Sequence, residues 1–138
     1  MNNCCNTGEL YCAEMVLSKV SAQMGIDSPL IPRIATGLCS GMSRTQGPCG
    51  ALTGGVLALN LCYGRDTARE SVEKNYQAVQ ILISKFEKQF HSCACSELLG
   101  CNLATNEGQQ QFKEKGLAQR CQTYMNFTIE TVGGLIEK

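Results

Sequence analysis

The sequence predicts an all-α protein, a single-domain helical bundle of about five to seven helices over residues 1–138. Three observations predict it. Apolar residues recur at three- and four-residue steps through most of the chain, the period of one helix face. No Asn-Gly or Asp-Gly pair separates alternating apolar runs, so the hairpin signal is missing. Pro29, Pro32 and Pro48 are the only prolines, which leaves the second half of the chain without that helix breaker. No composition break, charge run or internal repeat divides the chain.

The first helix is expected from about Gly8 to Met24. Leu10, Ala13, Val16, Leu17, Val20 and Met24 share one face, and Gly25 supplies the stop. A short helix opened by Ser28 or Pro32 is expected between Asp27 and Leu38, followed by a glycine-rich link through Gly37, Gly41 and Gly47. The next helix begins near Pro48 and ends near Tyr63, with Gly64 as its stop. Asp66 or Thr67 caps a long helix reaching Phe90, whose buried stripe reads Val72, Tyr76, Val79, Leu82 or Ile83, Phe86 and Phe90. Ser96 to Leu99 fits one turn. Thr105 to Ile136 fits one helix, or two with a break near Gly116.

Composition narrows the function. Lys plus Arg and Asp plus Glu number 12 each, and no basic cluster exists, which argues against nucleic-acid binding. The most apolar run, Ala51 to Tyr63, is too short to span a bilayer, so no membrane insertion is expected. Met1 to Glu9 carries neither a basic nor an apolar stretch of the secretory kind, so a cytoplasmic, reducing compartment is the expectation. With 43% hydrophobic residues the core needs no disulfides, and the ten cysteines call for another explanation. In a reducing compartment that explanation is metal binding or redox chemistry before structural bridging. A single His, with no Ser-His-Asp order or paired carboxylates, leaves little for hydrolysis.

The cysteines are Cys4, Cys5, Cys12, Cys39, Cys49, Cys62, Cys93, Cys95, Cys101 and Cys121. None are spaced as C-x-x-C, which removes thioredoxin-like, zinc-ribbon and ferredoxin-type runs. Any shared site must be assembled by the fold. Cys49 has the clearest physical case. It follows Pro48 at an expected helix start, where free N–H groups and the helix dipole stabilise a thiolate; a small buried thiol is the competing reading. Gly50, Ala51, Gly54, Gly55 and Ala58 strip the same helix of side chains. That bareness serves close helix packing, or leaves room at Gly50 and Gly54 for a cofactor or a second cysteine. Cys12 lies at the edge of the first helix's buried face, and Cys95 stands near the start of the one-turn helix. His91 reads as a favourable charge at a helix C-terminus, not a ligand.

Cys49-Gly50-Ala51-Leu52-Thr53-Gly54 resembles the central motif of the C_GCAxxG_C_C family of redox-active proteins. Tyr11-Cys12-Ala13-Glu14 is similar to that family's N-terminal cysteine segment, and Cys95-Ser96-Glu97-Leu98-Leu99-Gly100 to its Cys-x-Glu-Leu-Leu-Gly-type segment. The resemblance implies that Cys12, Cys49, Cys95 and Cys121 are the family's four characteristic cysteines. It also implies a redox role, with an iron–sulfur cluster the suspected cofactor. Two departures stand out: Cys39 sits where glycine is typical, and Cys93 and Cys101 bracket Cys95 as competing ligands.

Three functions follow, in order. The first is a four-thiolate site binding an iron–sulfur cluster for electron transfer, with zinc as the rival metal. The second is thiol–disulfide chemistry with Cys49 as attacking thiolate and Cys12 or Cys39 resolving. The third is a helical partner-binding module with packed cysteines. The first two make the chain an oxidoreductase or electron-transfer component working with a redox partner protein. The low charge, 17%, fits a homodimer interface. Beyond these alternatives for Cys39, Cys93 and Cys101, the sequence assigns no role to the six cysteines outside the four, Cys4, Cys5, Cys39, Cys62, Cys93 and Cys101.

Overall fold

The structure is a computed structural model that describes residues 10–136. Cys4, Cys5 and the Gly8–Glu9 start expected for the first helix lie outside the described residues. Those residues form seven helices and no strands: α1 (Cys12–Gln23), α2 (Cys39–Arg44), α3 (Gly50–Tyr63), α4 (Glu73–Phe90), α5 (Cys95–Leu99), α6 (Asn106–Glu114) and α7 (Ala118–Ile136). A 3-10 helix, Arg33–Leu38, precedes α2. The expected all-α fold is therefore present.

Helix α3 is the axle, packing on α1, α4 and α7. Its missing side chains explain how. A Cβ on Gly54 would stand 2.6 Å from the Ala13 carbonyl oxygen and 2.9 Å from the Ala13 Cα, so α1 and α3 touch backbone to backbone. Gly55 faces the other way, with its open side filled by Thr128, Leu82 and Val132 of α7 and α4. Ala13, Val16, Leu17 and Val20 of α1 are fully buried against this axle. At the far end the Tyr63 hydroxyl donates to the Leu135 carbonyl at 2.7 Å and fastens α3 to α7.

Most helix limits agree with the pattern. Gly25 ends the first helical segment at φ +73° and Gly116 separates α6 from α7 at φ +62°, both in the left-handed region that suits glycine. Thr105 caps α6, its hydroxyl accepting from the Gly108 N–H at 2.9 Å. In α4, Ala78, Leu82 and Phe86 are buried, whereas Tyr76 is 53% exposed and Ile83 faces solvent. The α4 stripe is thus narrower than expected, and its C-terminal end meets α7. There Phe86, Phe90, Tyr124 and Phe127 pack edge to face, with Phe90 and Tyr124 centroids 4.8 Å apart.

Two expectations need correction. Cys39 to Arg44 is not a loose glycine-rich link but one turn of left-handed helix. Ser40, Gly41, Met42 and Ser43 have φ between 58° and 66°, a conformation that costs roughly 1–2 kcal/mol per non-glycine residue. Side chains hold the turn: the Ser43 hydroxyl donates to the Gly37 carbonyl and the Thr45 hydroxyl to the Met42 carbonyl, both at 2.8 Å. Pro48 does not open α3. Gly47, Pro48 and Cys49 run extended beside Cys93, Ala94 and Cys95 as a short antiparallel bridge. The Cys49 N–H donates to the Cys93 carbonyl at 2.7 Å, and the Cys95 N–H to the Gly47 carbonyl at 2.9 Å. Cys49 is consequently the cap of α3, and the helix proper starts at Gly50.

Candidate functional site

The bridge between the two extended segments decides where sulfur goes. It fixes Cys49, at the cap of α3, beside Cys95, the first residue of α5. Cys12 arrives as the first residue of α1 rather than from inside a longer helix. The start of α1 is set by Glu14, whose carboxylate accepts from the Tyr11 N–H at 3.0 Å and from the Thr36 hydroxyl at 2.7 Å. Cys121 comes from the first turns of α7. Three of these four cysteines therefore stand at helix starts.

Cys12, Cys49, Cys95 and Cys121 line one small cavity of about 10 Å³, with Gly50, Leu98, Leu99 and Tyr124 completing its wall. That is room for about one water molecule. All four cysteines are buried and none is joined in a disulfide. Gly50 is what admits Cys12, since a Cβ there would run into the Cys12 sulfur and crowd the Leu38 carbonyl at 3.2 Å. Gly54, one turn on, packs on the α1 backbone and is not on the cavity wall. Gly41 of the left-handed turn lies against Cys95, where a Cβ would come within 2.7 Å of the Cys95 Cβ.

Tyr124 and Arg120 border the site without having been singled out by the sequence. The Tyr124 hydroxyl donates to the Leu98 carbonyl at 3.0 Å. Burial pushes it above the ordinary tyrosine range, opposed by Arg120 and reinforced by Cys49, Cys121 and Cys95. The Arg120 guanidinium reaches the Leu98 and Leu99 carbonyls at the end of α5, each at 3.4 Å. The sequence signal for both was their spacing from Cys121, three residues on and one before, on a helix known to turn inward only from its fold.

The remaining described cysteines divide differently. Cys62 is exposed, and Cys93 and Cys101 stay off the cavity wall. Burial pushes the Cys93 and Cys101 thiols up from their ordinary range. Cys39 goes the other way. A hydrogen bond from the Cys12 side chain holds it below that range against its burial, assisted by the backbone N–H groups of Glu14 and Ala13. Its own Sγ lies 3.7 Å from the Ala35 carbonyl. His91, in the left-handed conformation, closes α4 and approaches none of this. Among the described residues no three His, Cys, Asp or Glu side chains stand arranged around a metal-ion position. No helix among them is long and apolar enough to cross a membrane.

Residues 10–135 match the family described as "Putative redox-active protein (C_GCAxxG_C_C)", and the chain belongs to that family. No curated protein and no solved structure matches it.

Proposed function

We propose that the four-thiol cavity is the redox centre of this chain. The group it takes is an iron–sulfur cluster held by Cys12, Cys49, Cys95 and Cys121, in an electron-transfer component or oxidoreductase. One observation carries the reading: four cysteines far apart in sequence line a single buried cavity, and the other described cysteines do not. The donor set fits, because thiolates are the usual ligands of such clusters and four suffice. When bound, the cluster supplies one-electron transfer.

The chain's own residues would do the rest. Cys12 and Cys49 sit at the starts of α1 and α3, where the helix dipoles offset thiolate charge. Leu98, Leu99 and Tyr124 keep water out. The cavity is small, so anything larger than a water must displace part of its wall. The left-handed turn lies outside that wall but backs Cys95 through Gly41, and it is the neighbouring segment with strain to release. Elemental analysis and an absorption spectrum of protein purified without air test the proposal. Iron with a broad visible charge-transfer band is expected, and a colourless protein with tightly held zinc would end the electron-transfer reading.

A second reading is thiol–disulfide exchange with Cys49 as the attacking thiolate. Cys49 at the cap of α3 favours it, because the free N–H groups of the helix start stabilise a thiolate there. It predicts that Cys49 is alkylated faster than every other cysteine at neutral pH.

A further inference from the structure

Cys39 belongs to no wall of the inner cavity, yet it touches that cavity's Cys12. On its other side it lines an open hollow of about 210 Å³ with Tyr11, Thr36, Ser40, Ser43 and Arg44. It is also the residue from which the left-handed turn departs, and that turn rests on Cys95 through Gly41. One short segment thus contacts two of the four cavity thiols and faces outward as well. A sulfur in contact with a second sulfur, and bordering an outside hollow, has the placement of an entry point for oxidising equivalents.

We propose that Cys39 and Cys12 form a reversible disulfide that withdraws Cys12 from the four-thiol site, with a small, carboxylate-bearing disulfide as the oxidant admitted by the hollow. The regulatory part rests on the reading of Cys12 as one of the site's four thiols, whereas the disulfide itself requires only the pair. The Arg44 guanidinium lines the hollow and suits a carboxylate there, while the Thr36 and Ser43 hydroxyls already donate to Glu14 and the Gly37 carbonyl.

The chemistry balances in two exchanges. The Cys39 sulfur gives its proton to solvent and bonds to one sulfur of the small disulfide. The disulfide's S–S bond breaks, and its other half leaves as a thiolate that takes up a proton. The Cys12 sulfur, losing its proton, then bonds to the Cys39 sulfur, and the second half leaves as a thiol. Two protein thiols are oxidised to one disulfide, and one small disulfide is reduced to two thiols. Cys12 then no longer offers a thiolate, while Cys49, Cys95 and Cys121 remain.

The test uses the full chain, as wild type and as Cys39→Ser, equilibrated without air in graded mixtures of oxidised and reduced glutathione. Each sample is alkylated, mapped by mass spectrometry without reduction, and separately supplied with iron and sulfide. The expected result is that Cys12–Cys39 is the first disulfide to form. Wild type should then lose at least tenfold in visible absorption after iron and sulfide, while Cys39→Ser at the same ratio loses little. A first disulfide between any other pair, or equal loss in Cys39→Ser, overturns the proposal. If reduced wild type takes up no iron, the cluster reading fails while the disulfide map alone still decides the Cys12–Cys39 pairing.

Discussion

Helix α3 uses the same device at its N-terminal end and in its middle, with opposite results. At both places glycine lets a neighbour into the space where a side chain would be. In the middle, Gly55 admits hydrocarbon: Thr128, Leu82 and Val132 close over it and make ordinary core. At the N-terminal end, Gly50 admits the Cys12 sulfur, which brings it to a cavity shared with Cys49, Cys95 and Cys121. Gly54 lies between, and its contact with the Ala13 backbone sets the α1–α3 distance on which both ends depend. A bare helix face is therefore not one feature. Its consequence depends on what the neighbouring helix presents at each turn.

Substitutions along this face separate the two roles. Gly54→Ala should have the largest effect, because its Cβ meets backbone that cannot rotate away. Overpacking of this kind costs about 3 kcal/mol, read as a lowered urea midpoint, and iron uptake should fall with it. Gly50→Ala meets the Cys12 sulfur and, less tightly than at Gly54, the Leu38 carbonyl at 3.2 Å and the Ala13 nitrogen at 3.3 Å, and about 2 kcal/mol is expected. Its effect on the site should exceed its effect on stability, with reconstituted absorption lost from protein that still unfolds cooperatively. If Gly50→Ala keeps full iron uptake, the α3 start does not serve the sulfur site.

A change in the middle should act on stability alone. The Thr128 hydroxyl is fully buried and has no hydrogen-bond partner among the described residues. Thr128→Val keeps its shape and removes the stranded polar atom, so a gain of about 1 kcal/mol is expected in urea unfolding. Iron uptake should not change.

The smallest effect concerns a thiol off the cavity. Burial raises the Cys101 thiol above its ordinary value of 9.0. The folded state therefore holds that proton more tightly than the unfolded chain does. Its contribution is complete below the unfolded value and is lost as pH climbs through the folded one. Cys101→Ala should flatten the fall in stability on the alkaline side of pH 9 and leave neutral iron uptake intact.

Much of this architecture was legible in the sequence, for physical reasons that also explain what was not. α1, α4 and α7 announce themselves through three- and four-residue apolar steps, whereas α6 carries one large apolar residue, Phe112; Gly25 and Gly116 mark breaks because left-handed backbone suits glycine. The left-handed turn at Ser40–Ser43 had no such signal, since three of its four residues are not glycine and tertiary contacts impose the conformation. The bare side of α3 was visible, but only the position of α1 says that Gly50 faces a sulfur and Gly54 a carbonyl. Likewise, nothing local pairs Gly47–Cys49 with Cys93–Cys95, because that bridge joins segments far apart in the chain. The family motifs pointed to Cys12, Cys49, Cys95 and Cys121. The fold adds that they share a cavity, and that Tyr124 belongs to its wall.

The redox centre proposed for this chain consists of these four sulfurs and none of the other described cysteines. The most direct measurement replaces cysteines with serine one at a time and compares iron and sulfide incorporation without air. The account predicts that Cys12→Ser, Cys49→Ser, Cys95→Ser and Cys121→Ser each lose the visible band at least tenfold, while Cys62→Ser, Cys93→Ser and Cys101→Ser keep it. A full band in any of the first four variants, or its loss in any of the last three, would contradict it.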